Sequence, residues 1–143
     1  MKFIYLLAFS SFFFITSCGS DEITGSSDKS YREMDEEVGC SSKHGDDKKE
    51  NTFNENYQNK WMTFEGMVAN IDGDILGMKC NILSIVDDVN IKFEDEKEIY
   101  DLTIGSYVKV KFAMRELGGC FLPYSGDQGQ IIKKDMDIRD LIK

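Results

Sequence analysis

The fold of this chain is decided by the stretch Trp61-Met62-Thr63-Phe64-Glu65-Gly66-Met67-Val68-Ala69-Asn70-Ile71. It predicts one long β-strand with a glycine in its middle. A glycine inside a strand usually marks a bulge or a sharp bend. We therefore expect the strand to bend at Gly66 and to serve two sheets, as a small closed barrel requires.

Further strands are predicted downstream. Asp72-Gly73 is a signal for a tight hairpin turn. In the third strand, Val89, Ile91 and Phe93 alternate with polar residues, which indicates one buried face. Residues 94–104 are predicted to form a loop or a short helical turn, and residues 115–130 a glycine-rich loop. The predicted strands after the first are 75–85, 89–93, 106–114 and 130–138.

These features match an all-β OB-fold-like domain over residues 51–143. The OB-fold is a partly open, five-stranded Greek-key barrel. A short N-terminal helix is predicted through about residue 59, because Phe53, Tyr57 and Trp61 recur at helical spacing. The helix should plug one end of the barrel. The predicted core residues are Phe64, Val68, Ile82, Val89, Ile91, Phe93, Val108, Val110, Phe112 and Ile132.

Residues 53–138 also resemble a known family, the tRNA_anti-like group of bacterial OB-fold proteins. The resemblance implies an OB-fold in a short, exported protein that often carries a lipobox. It does not imply RNA binding, because a shared fold does not transfer function. The matching pieces are Asn56-Tyr57, Lys60-Trp61, Phe64-x-Gly66-x-Val68, Ile91-x-Phe93 and Leu102-x-x-Gly105-x-x-Val108-x-Val110.

The N-terminus has the layout of a secretory signal peptide. Lys2 precedes an apolar run at residues 3–15, which is shorter than the roughly 20 residues of a membrane-spanning helix. The run ends in Ile15-Thr16-Ser17-Cys18, which resembles the bacterial lipobox. We therefore predict a signal peptide at 1–17 and lipidation of Cys18, which would anchor the protein to a membrane of the cell envelope, facing the periplasm or the exterior. Gly19 favours the outer membrane, if the organism has one.

Residues 18–50 are rich in Ser, Gly, Asp, Glu and Lys and poor in apolar side chains. Such a segment buries too little surface to offset its ordering entropy. It is predicted to be a flexible acidic linker that holds the domain about 30 Å from the bilayer. The whole chain has a formal charge of −9, which argues against binding to the phosphate backbone of nucleic acid.

Cysteines lie at positions 18, 40, 80 and 120. An exported protein occupies an oxidising compartment, which permits a disulfide between Cys80 and Cys120 in the folded part. The alternative is that both are small buried thiols. Cys40 lies in the predicted linker.

One basic and partly aromatic group forms the candidate ligand face. Stacking combined with positive charge is the chemistry of single-strand binding. The alternative is a solvated outer face whose lysines block edge pairing. The members are Lys79, Lys92, Tyr107, Lys109, Lys111 and Arg115.

No catalytic or metal constellation stands out. The pair Cys40-x-x-x-His44 lacks a second pair of ligands, and His44 is the only histidine, so the domain cannot hold a histidine-based triad. We expect a protein without enzymatic activity, cofactor or metal, which binds a protein or an envelope component. The alternatives are a protein that binds oligonucleotides or oligosaccharides through the basic face, and a hydrolase whose carboxylates meet only in the fold.

Overall fold

The computed structural model describes residues 22–136. The predicted signal peptide and Cys18 lie outside the described residues. The described chain begins with β1 (Gly25–Ser26), α1 (Tyr31–Val38) and α2 (Asp46–Asn56), which together form an N-terminal arm. Five longer strands follow: β2 (Lys60–Asp72), β3 (Ile75–Lys79), β4 (Val89–Lys92), β5 (Tyr107–Glu116) and β6 (Tyr124–Lys133).

The five longer strands close into a barrel with the order β2-β3-β4-β6-β5, and β5 pairs back onto β2. The pairing of β4 with β6 is parallel and the other barrel pairings are antiparallel. The link between β4 and β5 contains a short 3-10 turn, Glu96–Glu98. The predicted all-β, OB-fold-like barrel is confirmed.

β2 closes the barrel because it pairs with β5 along its first half and with β3 along its second, and its pairing with β3 is irregular between Val68 and Asn70 rather than at Gly66. Residues 61–67 of β2 pair with β5, and residues 67–72 pair with β3. A side chain at Gly66 would place its Cβ 2.7 Å from the carbonyl oxygen of Lys79. Only glycine at this position therefore allows the end of β3 to approach β2 this closely.

The core matches the prediction at eight of ten positions, all of them buried. Ile82 and Ile132 are wrong, with 63% and 53% of their surface exposed. Ile82 is exposed because β3 ends at Lys79 and residues 80–88 form a loop. A register shift between β5 and β6 packs Ile131 against the core and leaves Ile132 outside.

The last strand starts at Tyr124, well before the predicted residue 130. Its glycines predict a loop, but they serve close packing instead. A Cβ at Gly126 would clash with a ring carbon of Phe112, and one at Gly129 would lie 2.6 Å from the Phe93 ring. Because glycine has no side chain, β6 can pack directly against the aromatic rings of the core at these two positions.

The prediction of a flexible linker is wrong for residues 22–50, which fold onto the barrel. Ser30 and Glu33 form a capping box that starts α1. Met34 and Val38, on one face of α1, are fully buried. α2 begins at Asp46 rather than near Phe53, and Phe53 stacks on Tyr124 with ring centroids 6.4 Å apart. A few apolar anchors thus order a segment whose composition is that of a linker.

The predicted Cys80–Cys120 disulfide is also wrong. Cys120 is bonded to Cys40, with Cα atoms 4.7 Å apart, and Cys80 is a free thiol. The reason is the folded arm, since α1 ends at Val38 and brings Cys40 to the loop between β5 and β6. The bond closes a loop of 80 residues and ties the arm to the barrel.

Candidate functional site

A cleft of about 870 Å³ lies between the N-terminal arm and the barrel. One wall comes from residues 28–41, which include most of α1. The other wall comes from residues 63–66 of β2, residues 79–82 at the end of β3, and Tyr107 at the start of β5. The folded arm therefore creates the cleft, and an unfolded linker would leave only an open barrel surface.

Two contacts fix the α1 wall, one at the first turn of the helix and one beyond its last turn. At the first turn, Tyr31 packs edge-on against Phe64, with centroids 5.7 Å apart, and against Tyr124 at 6.0 Å. Beyond the last turn, the Cys40–Cys120 disulfide holds the chain to the β5–β6 loop. The width of the cleft is therefore set by an aromatic cluster and a covalent bond.

The buried carboxylate of Asp88 organises the barrel side of the cleft. It accepts hydrogen bonds from the backbone N–H of Asn81 (2.6 Å), the hydroxyl of Ser84 (2.6 Å) and the hydroxyl of Tyr31 (3.2 Å). The first two bonds shape the 80–88 loop, and the third joins that loop to α1. The Asp88 side chain thus links both walls of the cleft, and the hydrogen bonds it accepts come from within the protein.

The ionisable groups near Asp88 are held neutral. Burial, reinforced by the Asp88 carboxylate, raises the pKa of the Cys80 thiol well above its usual value. Burial, with Asp88 and Asp35 nearby, also raises the pKa of the Tyr31 hydroxyl. A thiol must ionise to act as a nucleophile. Cys80 is therefore a half-buried thiol that lines the cleft in its protonated form.

The rim of the cleft is charged on both sides, and most of these charges are satisfied internally. Glu65 pairs with Lys109 at 2.8 Å, and Arg32 pairs with Glu36 at 3.0 Å. The carboxylate of Asp35 accepts hydrogen bonds from the backbone N–H groups of Cys40 and Ser41. Within residues 22–136, Lys79 and Asp28 line the cleft without an ion-pair partner.

The structure divides the predicted ligand face. Lys79 and Tyr107 line the cleft. The other four cations are engaged within the protein. Lys92 lies 3.6 Å from Asp74, Lys109 lies 2.8 Å from Glu65, Lys111 lies 4.6 Å from the centroid of the Trp61 ring, and Arg115 lies 2.9 Å from Asp127. These partners neutralise or shield much of the positive charge that made the face a candidate for nucleic acid.

Sequence reasoning missed the arm side of the cleft and the role of Asp88. A usable signal for α1 was present, because Ser30-x-x-Glu33 is a capping box followed by apolar residues at 34 and 38. The meeting of Tyr31 with Asp88 spans 57 residues. No local pattern predicts a contact over such a distance.

The described residues were searched for metal sites and for membrane-spanning helices. No group of three or more His, Cys, Asp or Glu side chains in residues 22–136 is arranged to hold a metal ion. Cys40 of the Cys40-x-x-x-His44 pair is in a disulfide and offers no thiolate. The helices of this part of the chain are all too short or too polar to cross a membrane.

Comparisons with family models, with curated proteins and with solved structures find no match to this chain. The resemblance to the tRNA_anti-like group therefore rests on the quoted residues alone. Fold and site geometry carry the functional argument.

Proposed function

We propose that this chain is an exported, lipid-anchored OB-fold module of the bacterial cell envelope, without catalytic activity. It binds a protein or another envelope component in the cleft between α1 and the barrel. The single observation that carries the proposal is the Cys40–Cys120 disulfide. Structural disulfides persist in oxidising compartments and are rare in the cytosol, and this one also holds the cleft wall in place.

The cleft supports binding rather than catalysis. Its volume of about 870 Å³ falls in the range of ligand-binding clefts. Burial keeps the Cys80 thiol and the Tyr31 hydroxyl protonated by raising the pKa of each, and Asp88 accepts hydrogen bonds from three donors. Lys79 and Tyr107 remain as a charged and an aromatic contact for a partner.

The lipid anchor is supported by the sequence that ends in Cys18. Because the arm is folded, the flexible part of the tether between the anchor and the module is shorter than the composition of residues 18–50 predicts. Only seven Cα–Cα steps separate Cys18 from Gly25, the first residue of β1. Even fully extended, they span at most about 25 Å. The module would therefore sit close to the bilayer.

The cleft is tested by photo-crosslinking in intact envelopes. A photoreactive residue at Thr63, which is exposed and lines the cleft, should capture a partner. The matched control is Lys97, which is exposed in the β4–β5 link and lies outside the cleft. Identical adducts from both positions, or none from Thr63, would argue against a cleft partner.

The anchor is tested separately by Cys18→Ala. We expect the variant to leave the membrane fraction. Unchanged membrane fractionation would refute lipidation at Cys18 without bearing on the cleft.

Binding of an oligonucleotide or oligosaccharide through Lys92, Tyr107, Lys109 and Lys111 has less support, because the three lysines are already engaged with Asp74, Glu65 and Trp61. Oligonucleotide binding by that face should weaken steeply with salt. We expect no measurable affinity at low salt, and a steep salt-dependent affinity would revive this alternative.

A further inference from the structure

Two loops of the barrel expose large apolar side chains. In the β3–β4 loop, residues 80–88, Leu83 and Ile85 are 84% and 91% exposed, and Ile82 is also exposed. In the β5–β6 loop, residues 117–123, Phe121 and Leu122 are 81% and 71% exposed. We call these two segments the apolar loop pair. Such concentrations of exposed apolar side chains mark interaction sites.

The two loops open from the same end of the barrel. They lead into β4 and β6, which pair in parallel with Val89 opposite Tyr124. The backbone N–H of Tyr124 also donates to the carbonyl of Asp88, at 2.9 Å. Since the last residues of the loops are joined by the sheet, their tips project from one side of the molecule.

The loop tips carry no charge. Residues 81–86 and 117–126 contain no Asp, Glu, Lys or Arg, although 30% of the chain is charged. An uncharged, apolar surface is suited to contact with hydrocarbon, where a buried charge would be costly. A surface that binds a folded protein usually adds a polar rim.

Internal bonds hold both loops in place, and this keeps their apolar side chains exposed at the surface. Asp88 accepts hydrogen bonds from Asn81 and Ser84 across the first loop. The second loop is tied down by the disulfide at Cys120 and by a backbone bond from Gly119 to Leu122.

The N-terminus of the described chain lies at this same end. Gly25 pairs with Lys60 at the start of β2. Asn59, just before β2, donates its backbone N–H to the carbonyl of Met114, close to where β5 runs into the second loop. The short chain from Cys18 therefore joins the barrel on the side from which the apolar loop pair projects.

We propose that the apolar loop pair rests in the headgroup–acyl boundary of the bilayer that holds the lipidated Cys18. This inference depends on the proposed lipid anchor, because the tether brings the loops within reach of the lipid. A tether raises the effective concentration of weakly binding loops at the surface. Stable membrane association generally combines two such signals.

The test uses the full, processed protein reconstituted in vesicles of phosphatidylethanolamine and phosphatidylglycerol with brominated acyl chains. Phe121→Trp and Tyr100→Trp form a matched pair. Both replace an aromatic residue that is more than 80% exposed. Tyr100 lies in the β4–β5 link, outside both loops of the apolar loop pair. The signal of Trp61, the only native tryptophan, is recorded in the parent protein and subtracted.

We expect the tryptophan at position 121 to be quenched severalfold more than the one at position 100. Equal quenching in protein whose mass shows acylated Cys18 would overturn this inference and leave the anchor standing. Unacylated protein would overturn both. Contact between copies through position 121, seen as a dimer with quenching equal at the two positions, would assign the loops to self-association instead.

Discussion

The N-terminal arm and the barrel reach their folded states by different routes. In the barrel, buried side chains alternate along strands that pair with neighbours in a closed ring. The arm, residues 22–57, buries Met34, Val38, Phe53 and Tyr57 amid a highly charged sequence. It is completed by a bond to Cys120. A segment with the composition of a linker can therefore fold when a few apolar side chains are buried and one disulfide fastens it to the barrel.

Truncating a large side chain in the barrel core should destabilise the whole barrel. Phe112 is fully buried, and its ring lies 5.2 Å from that of Phe64. Phe112→Ala should lower the free energy of unfolding by about 3–5 kcal/mol, from lost burial and the cavity left behind. Chemical denaturation followed by circular dichroism measures this. A loss below about 1 kcal/mol would mean that the ring is not part of a tight core.

Removing the crosslink should loosen the arm selectively. Cys40→Ser opens an 80-residue loop, and such bonds typically contribute about 2–4 kcal/mol. Limited proteolysis should then cut within residues 22–56 while the barrel stays intact. The control is Cys80→Ser, which alters a free thiol and should leave the arm resistant. Cleavage at equal rates in both variants would contradict the selective role of the disulfide.

Alkaline pH should weaken the junction between arm and barrel. Burial raises the pKa of the hydroxyls of Tyr31, Tyr57 and Tyr124, with added effects of Asp88, Glu37 and Asp35 respectively. Because the folded-state pKa lies above the unfolded value of about 10, the stabilisation is complete below pH 10 and is lost as pH rises through the folded-state values.

Tyrosine ultraviolet difference spectra and proteolysis of the arm measure this together. We expect the arm to become cleavable as tyrosines ionise above pH 10. Ionisation of Tyr31, Tyr57 and Tyr124 near pH 10 in a fully protected arm would contradict the buried junction.

The smallest expected effect is at the start of α1. Ser30 caps the helix by accepting a hydrogen bond from the backbone N–H of Glu33. Ser30→Ala should cost about 1 kcal/mol and increase amide exchange in α1 relative to β5. Ser41→Ala is the comparison variant, because Ser41 is an exposed residue beyond α1 whose hydrogen bond to Asp35 uses the backbone N–H, which alanine keeps. Equal exchange in α1 for both would show that the cap does not limit the helix.

Much of the barrel could be predicted because its signals are local. Alternation at Val89, Ile91 and Phe93, and the glycine at 66, depend on neighbours in sequence. Strand ends were less predictable, because Gly126 and Gly129 have the composition of a loop yet meet the rings of Phe112 and Phe93. Those rings are distant in sequence, so the close packing has no local signal.

The candidate site was predicted only in part. Lys79 and Tyr107 were identified from their positions on strands. The sequence places the lysines at 92, 109 and 111 in the candidate ligand face because it shows their charge. It does not show their partners Asp74, Glu65 and Trp61, which come close only when the strands pair. The composition of residues 18–50 predicts an unfolded linker, which leaves Cys40 without a fixed position and makes Cys80 the expected partner of Cys120.

The most direct test of the account is the disulfide map of the processed native protein, read by mass spectrometry after alkylation without reduction. We predict one crosslinked peptide pair containing Cys40 and Cys120, with Cys80 alkylated as a free thiol. A Cys80–Cys120 crosslink, or alkylation of Cys40 and Cys120 as free thiols, would contradict an arm fastened to the barrel and the cleft that depends on it.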